Sequence, residues 1–287
     1  MYNRCQHLIE VFQDTQQFYT ENLALPAAVD AGRKSTQLYG PGDYPALPEK
    51  QELPVVIEVT KSTSFTAASQ RYFRHGKEHI AVLNFASSVN PGGGVKSGSS
   101  AQEESLCRCS TLYPTLNQHF LWEQYYEPGR ASRDPLHTDA CIWSPGIVIC
   151  KSDASGNPRI DPEGWATVDV ISCAAPNLRE KTGNLHNPES AVPVHLTEEE
   201  QYTLHLKRAR HILHIAASKR VSSLILGAFG CGAFANDPRA VAEAYKDALK
   251  EYGQYFRYIE FAVYCRPDET RNFDAFRETF SGIKSQL

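Results

Sequence analysis

The sequence predicts an α/β domain in which a mostly parallel or mixed sheet is covered by helices on both faces. Three observations carry that expectation. Apolar runs at 80–85, 167–173, 221–226 and 258–264 have the length and composition of strands. Segments with apolar residues at helical spacing lie between them. The turns leaving two of these runs are rich in glycine, as strand-to-helix connections in such sheets often are.

In chain order, Leu8, Val11, Phe12, Phe18 and Tyr19 share one helical face over residues 3–20. Residues 26–54 repeat Pro and Gly, including Gly40-Pro41-Gly42, and read as an extended wrap. The expected division is an N-terminal helical extension with its wrap, residues 1–53, and a main domain, residues 54–287. Residues 54–59 read as a strand, and 63–74 as a helix that buries Phe65, Ala68 and Tyr72 and stops at Gly76. Ser100-Ala101-Gln102-Glu103 has the S-x-x-E form of a capping box, which predicts a helix from Ser100 through Leu106.

Residues 125–139, rich in Pro, Gly, Arg and Asp, read as surface loops, and strand character returns at 146–151. A Lys-, Asn- and Pro-rich loop follows the 167–173 strand and ends near Pro193. Thr197 and Glu200 form a second capping-box pattern, opening a helix with Tyr202, Leu206, Ala209, Leu213 and Ala216 on one face. Asp237 and Pro238 suit the N-cap and first position of a helix carrying Val241, Ala244, Tyr245, Ala248 and Tyr252. Phe273, Phe276 and Phe280 mark a closing helix.

Composition narrows the function classes. With 287 residues, 41% of them hydrophobic, the chain can bury a substantial core. A net charge of −4 argues against a broad basic face for DNA or another polyanion, so an anionic ligand must be recognised locally. No apolar run reaches the ~18 residues of a membrane span, and the start lacks the pattern of a signal peptide, so no membrane partner and a cytoplasmic location are expected. Eight scattered cysteines without a C-x-x-C pair read as reduced thiols, and no metal and no cofactor are expected.

Chemistry concentrates after the 80–85 strand, in Asn84-Phe85-Ala86-Ser87-Ser88-Val89-Asn90-Pro91-Gly92-Gly93-Gly94 and, seven residues later, Gln102-Glu103-Glu104. Consecutive glycines let backbone N–H groups approach a ligand and let the chain take positive φ. The two glutamates by themselves fit a helix cap as well as a catalytic pair.

The glycine triplet and Gln102-Glu103-Glu104 resemble the signature of poly(ADP-ribose) glycohydrolases, and residues 84–91 and 104–113 resemble the bacterial-type (microbial) branch of that family. The likeness continues in Val170-Ile171-Ser172-Cys173-Ala174-Ala175-Pro176-Asn177 and in residues 227–238, so it spans most of the chain from about Thr63 onward. It implies a macrodomain-like three-layer α/β/α fold with a mixed, mostly parallel central sheet and an added N-terminal helical extension. It also implies an enzyme that hydrolyses the ribose–ribose bonds of poly(ADP-ribose) and releases ADP-ribose, with ADP-ribosylated proteins as partners. By resemblance Glu104 is the catalytic acid/base and Glu103 holds ribose hydroxyls. Ser87, Asn90, Gly92, Gly93, Gly94, Val95 and Gln102 are then expected around the distal ribose, and Gly230, Cys231, Gly232, Ala233 and Phe234 around the diphosphate and terminal ribose.

Gly230-Cys231-Gly232-Ala233-Phe234-Ala235 also fits the G-x-G-x-x-A fingerprint of dinucleotide-binding folds. That rival calls for an acid at the end of the next strand, where the sequence has Cys265-Arg266-Pro267, and it leaves the first glycine turn unexplained. Two glycine turns instead suit a diphosphate gripped between backbone-lined loops. Residues 103 and 104 leave a helix about 100° apart, which predicts divergent side chains and one carboxyl doing most of the proton work. The alternatives are a module that binds ADP-ribose without cleaving it and a hydrolase of mono-ADP-ribosyl conjugates. Two adjacent negative charges are a poor device for merely binding an anion, which disfavours the first.

Overall fold

The computed structural model describes residues 4–50, 54–76, 78–180 and 192–282. Among them, β1 (Gln37–Tyr39), β2 (Val56–Thr60), β3 (Ile80–Phe85), β4 (Cys141–Ile149), β5 (Ala166–Cys173), β6 (Ser223–Leu226) and β7 (Tyr258–Ala262) form one sheet. Its order is β1-β4-β5-β3-β6-β7-β2. Neighbours from β5 through β2 run parallel, while β4 runs antiparallel to both β5 and β1. The helices are α1 (Arg4–Glu21), α2 (Leu25–Ser35), α3 (Ser64–His75), α4 (Gln102–Cys109), α5 (Leu112–Leu116), α6 (His119–Leu121), α7 (Glu127–Ser132), α8 (Glu198–Ser218), α9 (Pro238–Tyr252) and α10 (Arg271–Phe280).

The central strand shows why the sequence reads as continuous apolar runs rather than alternation. Ala81 and Leu83 of β3 pack with α8, α9 and α10 on one face, and Ile80 and Val82 pack with α1, α3, α4 and α5 on the other. Both faces are therefore covered, giving the three-layer α/β/α arrangement. Each side chain of Leu or Phe size buried here contributes about 1.5–3 kcal/mol relative to exposure. The helix signals in the sequence work as read at several ends. Thr63 caps α3 and Gly76 ends it at φ 73°. Thr197 and Glu200 form the reciprocal capping box of α8, and Asp237 caps α9 ahead of Pro238. No helix among the described residues is long and apolar enough to cross a membrane.

Four local expectations are corrected. The 26–54 wrap contains α2, which Pro26 opens from a first-turn position, and β1, which extends the sheet beside β4. Strand β4 starts at Cys141; Pro145-Gly146 forms a bulge within it, with Gly146 at φ 67°, so the break in pattern lies inside the strand. Residues 125–139 are not simply surface loops, because a π-helical stretch, Trp122–Tyr126, leads into α7 and buries Tyr125 and Tyr126. Helix α4 starts at Gln102 with no side-chain cap, so the expected capping box at Ser100 does not form. Most of the Lys-, Asn- and Pro-rich loop expected before Pro193, residues 181–191, lies outside the described residues.

Candidate active site

Strands β5, β3 and β6 are adjacent and parallel in the sheet, so the turns at their C-terminal ends emerge side by side. This is where open α/β sheets place ligands. After β3, Ser87 Oγ accepts from the amides of Val89 (3.2 Å) and Asn90 (3.1 Å), closing the first part of the turn. Gly92 and Gly93 follow at φ 69° and 58°, and Val95 begins a short 3₁₀ turn. A Cβ on Gly92 would lie 2.9 Å from the Tyr113 ring, so the chain there needs both the conformation and the absent side chain.

The carboxylates of Glu103 and Glu104 are both buried beneath this turn. Glu103 is not a helix cap. Its Oε2 accepts from the Ser87 amide at 2.7 Å and its Oε1 from Asn84 Nδ2 at 3.3 Å, so it reaches away from its own helix end. Glu104 Oε1 accepts from the Gly94 amide at 2.8 Å, while its Oε2, also buried, has no hydrogen-bond partner among the described residues.

The predicted divergence of the two side chains is overturned. A Cβ on Gly93 would sit 2.5 Å from Glu104 Oε1 and 3.0 Å from Glu103 Oε2, so both carboxylates reach the same point beside that glycine. Their Cβ atoms still leave the helix about 100° apart, but a glutamate has enough rotatable bonds to turn its head group back. Burial, and then the Glu104 charge, push the Glu103 carboxyl well above the usual carboxylate range, against the pull of the Ser87, Asn84 and Gly92 groups that bond its anion.

Gln102 is fully engaged with protein. Its Oε1 accepts from the Phe85 amide (2.9 Å), and its Nε2 donates to the Leu83 carbonyl (2.8 Å) and to Ser64 Oγ (3.0 Å). It thus completes the edge of β3 and fixes the start of α4 relative to the glycine turn. Val95 is likewise inward, fully buried with its amide on the Gly92 carbonyl. Ser87 and Asn90 remain on the turn; Arg130 of α7 donates to Asn90 Oδ1 and, at 2.8 Å, to the Val89 carbonyl.

The second turn, after β6, is organised by Asn236. Its Nδ2 faces the carbonyls of Pro176 (2.7 Å), Gly230 (2.9 Å) and Phe234 (3.3 Å), joining the β5 and β6 turns. Its Oδ1 lies 2.8 Å from His205 Nε2, which fixes that ring nitrogen as the donor. Gly230, at φ 77°, packs so closely that a Cβ would lie 2.6 Å from Asn236 Nδ2. Beyond it, Gly232 and Ala233 are exposed, and the amides of Gly232, Ala233 and Phe234 have no acceptor among the described residues. Successive unpaired backbone N–H groups are what anion-binding turns are built from. Cys231 faces inward, its thiol pushed up by burial. Phe234 is half-buried, its ring 6.1 Å from that of His137 and 5.6 Å from the Arg179 guanidinium.

The sequence expectations passed over several of these supports. Arg208, buried in α8, donates to the carbonyls of Ala174 (3.1 Å), Leu136 and His137 (3.0 Å), holding the β5 turn against the 136–137 segment. His137 lies 2.9 Å from Ser88 Oγ, through Nδ1. Their partners are far away in sequence, so no local pattern announces them. Among the described residues no group of three His, Cys, Asp or Glu is arranged to hold a metal ion.

Comparisons with known proteins identify the family and the fold. The family described as "Microbial-type PARG, catalytic domain" matches residues 7–152. The structure is similar to that of poly(ADP-ribose) glycohydrolase from Thermomonospora curvata, with a TM-score of 0.81 at 29% identity over 95% of this chain and 99% of that one. The same protein bound to the inhibitor ADP-HPD matches with a TM-score of 0.78 at 30% identity, over 95% of this chain and 99% of that one. Poly(ADP-ribose) glycohydrolase from Deinococcus radiodurans in complex with ADP-ribose matches with a TM-score of 0.74 at 33% identity, over 89% of this chain and 98% of that one. No curated protein matches the chain.

Proposed function

This chain belongs to the microbial-type poly(ADP-ribose) glycohydrolase family, and from that premise we propose a division of labour between its two buried glutamates. The protein is a poly(ADP-ribose) glycohydrolase, an enzyme that cleaves the ribose–ribose bonds of the polymer. Glu104 is its acid and base. The observation that carries this assignment is the asymmetry of its carboxyl: Oε1 is anchored on the Gly94 amide and Oε2 is buried without a partner among the described residues. Glu103, with each oxygen already on a protein donor, keeps spare lone pairs for ribose hydroxyls and acts as a holder.

In the acid form Glu104 carries its proton on Oε2 and gives it to the departing ribose 2′-oxygen as the glycosidic bond breaks. The ribosyl centre passes through an oxocarbenium-like state. The resulting carboxylate then takes a proton from the attacking water, which restores the acid. The unpaired amides of Gly232, Ala233 and Phe234 receive the diphosphate, and Phe234 packs beside the terminal ribose. The polymer is presented by ADP-ribosylated proteins, in a cytoplasmic setting that suits eight free cysteines. The catalytic unit is assigned to residues 54–287, with 1–53 as its helical extension.

The test is digestion of purified poly(ADP-ribose) by the wild type and by Glu104→Gln, with mass spectrometry of the products and calorimetry of ADP-ribose binding. The substituted amide keeps an oxygen for the Gly94 N–H but cannot carry the proton, so turnover falls by about 10²–10⁴ while ADP-ribose still binds. Near-wild-type turnover by this variant would remove Glu104 from the role. Binding with no ADP-ribose release by either protein would point to a non-catalytic reader or to a hydrolase of another conjugate.

A further inference from the structure

The hydrogen bonds that hold Glu104 form a closed path. Glu104 Oε1 accepts from the Gly94 amide at 2.8 Å, and the Gly94 carbonyl accepts from the Ser99 amide at 3.1 Å. The Ser99 carbonyl in turn accepts from Arg108 Nη1 at 2.6 Å. Arg108 lies four residues after Glu104, one turn further along α4, so the path returns to the helix from which it left. The Gly94 carbonyl also takes the Ser97 amide (3.0 Å) and hydroxyl (3.0 Å), which makes the Gly94–Ser99 turn rigid in itself. The guanidinium of Arg108 ties the far end of that turn back to α4.

Arg108 is a costly residue to bury, although the nearby Glu104 charge is among the groups that favour its cation. It is 3% exposed, and its Nε finds no acceptor among the described residues. A buried guanidinium is disfavoured unless its bonds repay desolvation, and an apolar side chain of similar volume would fill the space at lower cost. The residue is also braced from behind. Thr15 Oγ1 of α1 donates to the Arg108 carbonyl at 2.6 Å, and Gly98, next to Ser99, backs directly onto the Cys5 carbonyl.

We propose that Arg108 is a positioning residue of the hydrolytic reaction: by holding the Ser99 carbonyl it fixes the Gly94 amide, and so fixes which oxygen of Glu104 is bound and which faces substrate. The inference rests on the reading of Glu104 as the acid and base. It predicts that Arg108 governs the chemical step rather than ligand affinity.

The experiment compares Arg108→Met, Arg108→Lys and Glu104→Gln for kcat and KM on poly(ADP-ribose), for ADP-ribose affinity by calorimetry and for Tm. Arg108→Met is expected to lower kcat about tenfold or more, since a misplaced catalytic group loses rate steeply, while ADP-ribose affinity stays within about threefold. Arg108→Lys restores part of the loss, because an ammonium reaches one carbonyl without the fit of the planar fork. Wild-type kcat in Arg108→Met overturns the inference, and so does a kcat that falls only in step with ADP-ribose affinity and Tm and is not improved by lysine. Should Arg108→Met fail to fold, Arg108→Lys decides: a kcat about three- to tenfold down with binding retained supports it, and wild-type kcat or loss of both refutes it. Glu104→Gln separates the two levels. If it retains turnover, the reading of Glu104 and the inference fall together; if it is inactive while Arg108→Met is fully active, the inference alone falls.

Discussion

Replacing Gly93 by alanine tests whether the carboxylate geometry, rather than the presence of glutamates, makes this site an enzyme. The residue sits at φ 58°, where an L side chain is strained by about 1–2 kcal/mol. The new Cβ would lie 2.5 Å from Glu104 Oε1, whereas ordinary contact begins at 3.4 Å. One of the two must therefore retreat by about 0.9 Å, and a misplacement of that size costs on the order of 10² in rate, about 2.7 kcal/mol of barrier. Glu103 Oε2, 3.0 Å from the same Cβ, is displaced less. The expected result is a kcat for ADP-ribose release reduced about a hundredfold, with Tm lowered by roughly 3–8 °C and the protein still folded at 25 °C. The readouts are product release by mass spectrometry and thermal unfolding by circular dichroism. A Gly93→Ala enzyme with kcat within about threefold of wild type would refute the claim that these carboxylate positions set the rate.

Two further outcomes follow from neighbouring geometry. At Gly232 a Cβ would meet nothing within 4 Å, so Gly232→Ala leaves stability within about 0.5 kcal/mol yet weakens ADP-ribose binding about tenfold if the loop wraps the diphosphate; unchanged affinity by calorimetry would remove the loop from that role. His205, 1% exposed, is held neutral by burial, its pKa pushed down to about 4. The unfolded chain takes up that proton from about pH 6.5 downward, so stability is full above pH 6.5 and declines as pH falls toward 4, by up to roughly 3 kcal/mol. Urea midpoints between pH 4 and 7 read this directly, and an unchanged slope in His205→Gln would contradict it.

What was legible in the sequence shares one property: its cause is local. Gly92, Gly93 and Gly230 announce themselves because the backbone at those positions has positive φ, and Asp237-Pro238 because an N-cap and a first-turn proline are chemically fixed to a helix start. The errors share the opposite property. Pro26 reads as a breaker until α2 shows it in the first turn, and Pro145-Gly146 reads as a strand boundary until β4 is seen to continue past the bulge. Ser100 and Glu103 have the spacing of a capping box, but Glu103 finds a better donor in Ser87, which only the tertiary fold brings near. Gln102, Asn236 and Arg208 were illegible as supports for the same reason, since each spends its polar groups on carbonyls or amides of distant turns.

The placement of the two glutamates argues for catalysis on energetic grounds that neither residue supplies alone. Both are buried, both face the Gly93 turn, and the bonds they accept come from amides rather than from an ammonium or guanidinium group. Burial and mutual repulsion raise the energy of that arrangement in the resting protein, as the upward displacement of the Glu103 carboxyl shows. A neutral or anionic ligand relieves none of it. A ribosyl centre acquiring positive charge relieves part of it, because the cation develops as Glu104 gives up its proton and becomes the carboxylate beside it. The stabilisation is then larger in the transition state than in the bound ground state, which is the condition for accelerating a reaction rather than for holding its substrate.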